Sequence, residues 1–262
     1  MTNTRIIDYD RLYTEADAMA QSFSHAQPFP HIVIDNFLSP EFVSRLNAEF
    51  PDLTYDVTIK VEHLLKHHVL LPTLKDTGCI FITSAVEAVD DGILEILDKG
   101  HTRAGFEEAA SNLRGLGLVL NPTFVAFTPW TTREGYLEFL KVISDLDLVS
   151  HVSPIQYAIR LLIPAGSRLL ELGEVQSLVE PYDEAALCYP WQHPDPVMDQ
   201  LYAHIFRLVQ SNQMNQETRI TLFNDVWQAT LDLTGIVDPN LSAERRWELA
   251  ATPVPRMSES WY

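Results

Sequence analysis

The stretch from residue 78 to residue 102 constrains the fold more than any other part of the chain. Residues 79–83, CIFIT, are apolar and partly β-branched, which is typical of a short strand buried on both faces. Polar residues follow, and Asp90 or Asp91 can cap a helix because a short carboxylate accepts from the free N–H groups of its first turn. Apolar residues then recur at helical spacing until Gly100, which favours a helix end. This stretch predicts a strand, a polar turn and a helix.

Similar units recur through the middle of the chain. Strand-like runs occupy residues 54–63, 118–127 and 149–162, and helical patterns or turns follow each of them. The strands are roughly 25 to 40 residues apart, which is too long for hairpins and suits parallel strands joined by right-handed crossovers. The sequence therefore predicts an α/β fold with about four parallel strands.

The flanking regions differ from this middle part. The sequence before it predicts an amphipathic helix over 4–23, a strand near 32–34 and a helix over 40–49. A connector rich in proline and aromatic residues leads to helical patterns over 196–210, 217–233 and 242–251. The expected organisation has three parts: an N-terminal segment (1–52), the strand-helix region (53–175) and a helical C-terminal region (176–262).

Composition excludes several classes of partner. The formal net charge is −18, which repels phosphate backbones and anionic lipid heads, so neither nucleic acid nor a membrane is expected as a partner. No apolar run approaches the roughly 20 residues that cross a bilayer, and no signal peptide is evident, so a cytoplasmic location is expected. The two cysteines, Cys79 and Cys188, exclude a disulfide scaffold.

The polar residues after the strand at 79–83 are the first candidates for a site. Ser84 and Glu87 fall where parallel α/β folds bind ligands, at the carboxyl end of a strand. The alternative is a helix cap in a solvated loop. His67 and His68 are adjacent, and neighbouring helix positions point about 100° apart. The pair therefore predicts surface histidines and not a metal site. No glycine-rich phosphate loop and no nucleophile elbow occurs.

Several motifs resemble those of radical S-adenosylmethionine (SAM) enzymes. The turn Ala85-Val86-Glu87-Ala88 and the sequence Lys99-Gly100-His101-Thr102 resemble the fourth βα unit of that family. Further similar stretches are KVEH at 60–63, PTFVAFTPWTT at 122–132, IRLLIPAGSRLLEL at 159–172 and YPWQHPDP at 189–196. From about residue 53 onward, the chain resembles the subgroup named for a Cys-Sec-Ala-Glu-Pro or Cys-Cys-Ala-Glu-Pro tail.

The resemblance implies a partial βα barrel, opened on one side, that binds SAM beside a four-iron four-sulfur cluster. In the family, SAM and the cluster together generate a radical that abstracts hydrogen from the substrate. The resemblance implies an oxidoreductase. The substrate of this chain is expected to be a small molecule or a peptide. The cofactor-binding residues implied by the resemblance are Lys60, Glu62, Ser84, Glu87, Thr128, Pro129, Arg160, Pro164, Gly166 and Ser167.

The chain departs from the family at the cluster. The family holds it with three cysteines spaced by three and two residues, and no such loop is present, so this chain is not expected to bind a cluster. The chain also ends at Tyr262, where the family continues into its cysteine and selenocysteine tail. A chimeric or truncated form is expected, and a selenocysteine codon read as a stop would produce this end.

Residues 25–51 resemble a different family, the N-terminal entry of iron and 2-oxoglutarate dioxygenases. That resemblance implies an iron site of two histidines and one carboxylate, for which His193-Pro194-Asp195 is the only His-x-Asp string. Its central proline argues against the required sheet strand. A third hypothesis is a non-catalytic binding module whose open strand edge pairs with another chain or with itself.

Overall fold

The computed structural model describes residues 9–25, 48–215, 218–237 and 254–255. The chain divides into two compact units, residues 1–54 and 55–262. In the first unit, α1 (Tyr9–His25) covers most of the predicted helix over 4–23. The predicted strand near 32–34, most of the helix over 40–49 and the helix over 242–251 lie outside the described residues.

The second unit is built on a parallel sheet. Its strands are β1 (Tyr55–Thr58), β2 (Cys79–Glu87) and β3 (Val119–Phe124), in the order β1-β2-β3. Both neighbouring pairs are parallel. Each strand is followed by helical segments that return the chain to the same end of the sheet, which makes the pairing parallel. The α/β fold with a partial barrel is confirmed.

The fourth predicted strand, over 149–162, is wrong in most of its length. A 3-10 helix forms at Pro154–Tyr157, and only a parallel bridge between Phe127 and Arg160 follows. The backbone N–H of Phe127 donates to Ile159 (3.0 Å) and the N–H of Leu161 donates to Phe127 (2.8 Å). Pro154 has no N–H for a sheet ladder and favours a helical start, so the strand is reduced to this bridge.

Short helices replace two other predicted elements. The sequence 60–63, predicted as a strand end, begins α2 (Val61–Lys66). The single helix predicted over 64–74 is interrupted, because a 3-10 turn at His68–Leu70 separates α2 from α3 (Leu71–Asp76). Pro72 lies in the first turn of α3, where its missing N–H costs no helical hydrogen bond.

The other helices follow the predicted pattern, except for the short helix α7, which the sequence did not predict. Asp90 accepts from the N–H groups of Gly92 (2.8 Å) and Ile93 (3.1 Å), which confirms the expected cap. None of the described helices combines the length and apolarity needed to cross a bilayer. The remaining helices are α4 (Asp91–Ile96), α5 (Arg103–Leu116), α6 (Arg133–Asp145), α7 (Gly173–Leu178), α8 (Pro196–Asn215) and α9 (Arg219–Thr234).

One apolar core joins the sheet to these helices. Ile82 and Val86 of β2 are fully buried, and they belong to the same cluster as side chains of α5, α6, α8 and α9. Aromatic rings form its centre: Phe124 of β3 lies 4.9 Å from Phe139 and 6.0 Å from Phe106, between ring centroids. The C-terminal helices α8 and α9 therefore share a core with the sheet.

His151 makes the stability of this core depend on pH. Burial lowers the pKa of the ring, whose Nδ1 lies 2.9 Å from the carbonyl oxygen of Leu120. The unfolded chain takes up a proton near pH 6.5, whereas the folded ring resists it. The contribution of His151 is therefore complete above about pH 6.5 and is lost as pH falls through its lowered pKa.

We expect urea unfolding to show a free energy of unfolding that decreases as the pH falls below about 6.5. His151→Gln, which can donate a hydrogen bond but does not titrate, should flatten this part of the profile. An unchanged slope in the variant would show that other groups cause the dependence.

Candidate functional site

A cleft lies at the carboxyl ends of β2 and β3. The cleft is partly open to solvent, and its volume is about 350 Å³ only when the open space at its mouth is included. Both charged residues in its lining are acidic, namely Glu87 and Asp90, and Trp130 is the more exposed of the two aromatic residues that line it, the other being the buried Phe139. The other lining residues are Ala88, Val89, Ile93, Val125, Ala126, Thr131, Thr132 and Gly135. This is the end of a parallel sheet at which α/β proteins bind ligands.

Glu87 has a strained backbone at the end of β2. Its φ of 68° is in the left-handed region, which costs a residue with a side chain about 1–2 kcal/mol. The strain coincides with a shift in register between β2 and β3 at Ala85 and Glu87, and the Glu87 carbonyl accepts from the N–H of Val125 (2.8 Å). The irregular backbone sets Glu87 at the border of the cleft.

The carboxylate of Glu87 forms an ion pair with Lys99. The Nζ of Lys99 donates to Oε1 at 2.7 Å, and the two side chains are 29% and 19% exposed, for Lys99 and Glu87 respectively. The pair leaves Oε2 of Glu87 without a hydrogen bond to any described residue. Glu87 can therefore accept from a ligand while Lys99 holds its other oxygen.

His101 connects the loop of Lys99 to the end of β2. Its Nε2 lies 3.2 Å from the carbonyl oxygen of Val86, and its Nδ1 lies 3.2 Å from that of Lys99. Both partners are acceptors, so a neutral ring donates to one of them and a protonated ring to both. In either form, His101 helps to position the residues on both sides of the ion pair.

The second wall of the cleft follows β3. The hydroxyl groups of Thr128 and Thr131 are 2.9 Å apart and buried. Thr132 caps α6 by accepting from the N–H of Gly135 (2.9 Å). The indole N–H of Trp130 donates to Glu174 of α7 (2.7 Å), which fixes the orientation of the ring at the cleft.

The segment 189–196 fastens this wall to the rest of the unit. The Nδ1 of His193 accepts from the N–H of Asp195 (2.9 Å), so Nε2 carries the proton that the carbonyl of Thr131 accepts at 3.0 Å. Arg133 donates to both oxygens of Asp195 at 2.6 and 2.9 Å and lowers the pKa of that carboxyl group to about 2. We call these contacts the clamp; no motif in the sequence indicated them.

Arg160 is the third anchor of the clamp. It donates to Asp199 and to the carbonyl of Trp191, both at 2.7 Å. Its guanidinium carbon lies 3.7 Å from the centroid of the Trp191 ring, a cation–π contact. The predicted role of Arg160 in cofactor binding stays a prediction, and its contacts are those of a residue that holds segment 189–196.

The structure brings only some of the predicted site residues together. Glu87 lines the cleft, and Thr128 and Pro129 directly precede residues that line it. Ser84 is fully buried, and strand alternation places it on the same face as Ile82 and Val86, which contact the helices.

The remaining predicted residues lie around this region. Lys60 and Glu62 are exposed at the start of α2, and a carboxylate oxygen of Glu62 lies 3.1 Å from the position a Cβ on Gly100 would take. Pro164 and Gly166 are exposed, and Ser167 caps the following 3-10 helix by accepting from the N–H of Leu169. The predicted roles of these residues in binding stay predictions.

The cysteines do not fit an iron-sulfur cluster. Cys79 is buried at the start of β2, where burial raises the pKa of its thiol, and Cys188 lies in the connector. Two distant thiols cannot supply the three thiolates that the family uses. Among the described residues, no three side chains of His, Cys, Asp or Glu converge into a metal site.

Solved structures of one enzyme are similar to this chain. The cobalamin-dependent S-adenosylmethionine radical enzyme OxsB with aqua-cobalamin and S-adenosylmethionine bound matches with a TM-score of 0.55 at 14% identity, over 78% of this chain and 37% of that one. Its form with aqua-cobalamin alone gives a TM-score of 0.51 at 15% identity, over 62% and 29%. The selenomethionine-labelled apo form gives 0.52 at 14%, over 68% and 32%.

These matches cover about a third of the length of OxsB. No family model matches the sequence, and the comparison with curated proteins found no match. At such low identity, the similarity concerns the fold alone. The chain has an α/β fold with a partial barrel, which is similar to part of the OxsB structure.

Proposed function

We propose that the cleft after β2 and β3 binds S-adenosylmethionine or a closely related sulfonium nucleoside. The observation that carries this proposal is the lining of the cleft, which combines Glu87, Asp90 and Trp130 at the ligand-binding end of a radical SAM-like sheet. SAM is a cation with a planar base. It matches a cleft that is acidic and has an aromatic side chain.

Each residue of the cleft has a distinct role in this proposal. Glu87 accepts a hydrogen bond from the ligand through its second carboxylate oxygen, while Lys99 keeps its first oxygen in place. Trp130, held by Glu174, provides a surface for the base or the sulfonium group. The bound ligand would supply a carbon–sulfur bond activated by positive charge.

The proposal stops at binding, because the residues present do not fit the iron-sulfur cluster that radical chemistry uses in the family. A small molecule or a peptide as substrate, a cytoplasmic location and a chimeric or truncated origin stay predictions. The dioxygenase hypothesis also stays a prediction, although His193 and Asp195 are engaged by Thr131 and Arg133.

We expect isothermal titration calorimetry to detect SAM binding at low salt, with weaker binding of S-adenosylhomocysteine, which lacks the sulfonium charge. Glu87→Gln should lower the affinity for SAM about tenfold, equivalent to about 1.4 kcal/mol, and reduce the preference for SAM. Trp130→Ala should weaken both ligands.

Glu95→Gln is the matched control, because it removes the same charge from a residue that is exposed on α4. It should bind like the wild type. The proposal is wrong if the wild-type chain binds no SAM at about 1 mM, or if Glu87→Gln and Glu95→Gln bind equally well.

A further inference from the structure

β1 has one side on which no strand of the described residues pairs with it. On its other side, the N–H of Tyr55 donates to Gly78 (3.1 Å) and the N–H of Ile59 donates to Thr83 (2.9 Å). Successive residues of a strand direct their backbone groups to opposite sides, so those of Asp56 and Thr58 point away from β2, and the extended Lys60 follows two residues after the strand ends. No described strand pairs with this edge, because β1 is the first strand of the sheet order.

Two side chains along this edge, Asp56 and Lys60, carry opposite charges. Asp56 and Lys60 are both exposed, and neither forms a hydrogen bond or an ion pair with any described residue. Asp56 lies two residues before Thr58, and Lys60 lies two residues after it. An edge with this pattern is complementary to itself when a second copy runs in the opposite direction.

The charges select one register for such a pairing. With Thr58 opposite Thr58, the Asp56 of each copy lies opposite the Lys60 of the other copy, and opposite charges across a strand pair are favourable. A register centred on Asp56 would place two carboxylates against each other. A register centred on Val57 would place Asp56 opposite Thr58 and leave Lys60 without an opposite charge.

We propose that β1 pairs antiparallel with β1 of a second copy of this chain, centred on Thr58, to give a two-fold symmetric dimer with a continuous sheet. Asp56 and Thr58 direct their backbone groups to the partner in this register, and Lys60 would extend the pairing by its N–H group. The two Thr58 residues exchange N–H···O bonds, and the N–H of each Lys60 donates to Asp56 of the other copy. The carbonyl of Lys60 is already used, because it accepts from His63 and Leu64 at the start of α2.

The dimer should be weak. A short strand edge buries little surface, and interfaces of that size give transient complexes. The net charge of −18 on each copy adds repulsion that salt screens. We therefore expect a concentration-dependent monomer–dimer equilibrium that shifts toward the dimer as ionic strength rises from low values to about 0.15 M. This inference does not depend on SAM binding.

Sedimentation velocity with the full chain over a range of concentrations tests the proposal. Lys60→Asp places like charges opposite each other and should weaken the dimer at least tenfold, as should Asp56→Lys. The double variant Asp56→Lys/Lys60→Asp exchanges the two charges and should restore the wild-type equilibrium. Lys66→Asp, an exposed residue at the end of α2, makes the same charge change as Lys60→Asp and should dimerise like the wild type.

Far-UV circular dichroism confirms that each variant is folded. A wild-type chain that stays monomeric up to about 1 mM overturns the proposal, and so does a dimer that Lys60→Asp leaves unchanged. A double variant that dimerises no better than the two single variants overturns the register. The double variant has the same residues along the edge in exchanged positions. Its dimerisation can therefore be measured even if one of the single variants does not fold.

Discussion

Phe124→Ala is expected to lower the free energy of unfolding by about 3–5 kcal/mol, the largest effect predicted for a single substitution in this chain. Phe124 is 1% exposed at the end of β3, and its ring lies between those of Phe106 and Phe139. Truncation removes a large apolar side chain and both edge-to-face contacts. It leaves a cavity between the sheet and the helices α5 and α6 that the backbone of β3 cannot fill.

Urea unfolding followed by circular dichroism measures this effect. Leu162→Ala is the control, because Leu162 is 63% exposed and its truncation should change the free energy of unfolding by less than about 0.5 kcal/mol. Equal losses in the free energy of unfolding for the two substitutions would show that packing around Phe124 does not stabilise the fold.

Arg160→Met is expected to have the second largest effect, a loss of about 2–3 kcal/mol. Methionine retains much of the apolar stem but loses both hydrogen bonds and the contact with the Trp191 ring. The carboxylate of Asp199 loses its ion pair and keeps its bond from the N–H of His193. Segment 189–196 should then detach more easily from the sheet.

Limited proteolysis separates this local effect from general destabilisation. Under native conditions, Arg160→Met should be cleaved faster within residues 176–195 than the wild-type chain, while cleavage within the strands stays slow. Arg168→Met is the matched control, because Arg168 is exposed and makes no side-chain contact of this kind. Equal cleavage of both variants would contradict the role of Arg160 as an anchor.

The repeating strand-helix pattern was readable from the sequence because it depends on local properties. The apolar run at 79–83 and the cap at Asp90 required no knowledge of distant residues. The helices α8 and α9 were predicted near their observed bounds, whereas the short helix α7 was not predicted. The fourth strand was not, because Pro154 favours a 3-10 turn at a place where apolar periodicity suggested a strand.

The candidate site was predictable only in part. Glu87 was singled out because it follows a buried strand, and the structure places it at the cleft with residues 130–132. Its ion pair with Lys99 and its left-handed backbone could not be read from the sequence. Ser84 was grouped with Glu87 because it is polar, but strand alternation places it on the helix-facing side of β2.

The sequence by itself determined that parallel strands alternate with helices, because hydrophobic periodicity and capping residues act over a few positions. Only the tertiary structure decided which of its polar residues meet. Arg133 and Asp195 are 62 positions apart, as are Thr131 and His193, and no local pattern records such a contact. The same is true of the edge of β1 that no described strand covers, since whether a strand has a neighbour depends on how the whole sheet is assembled.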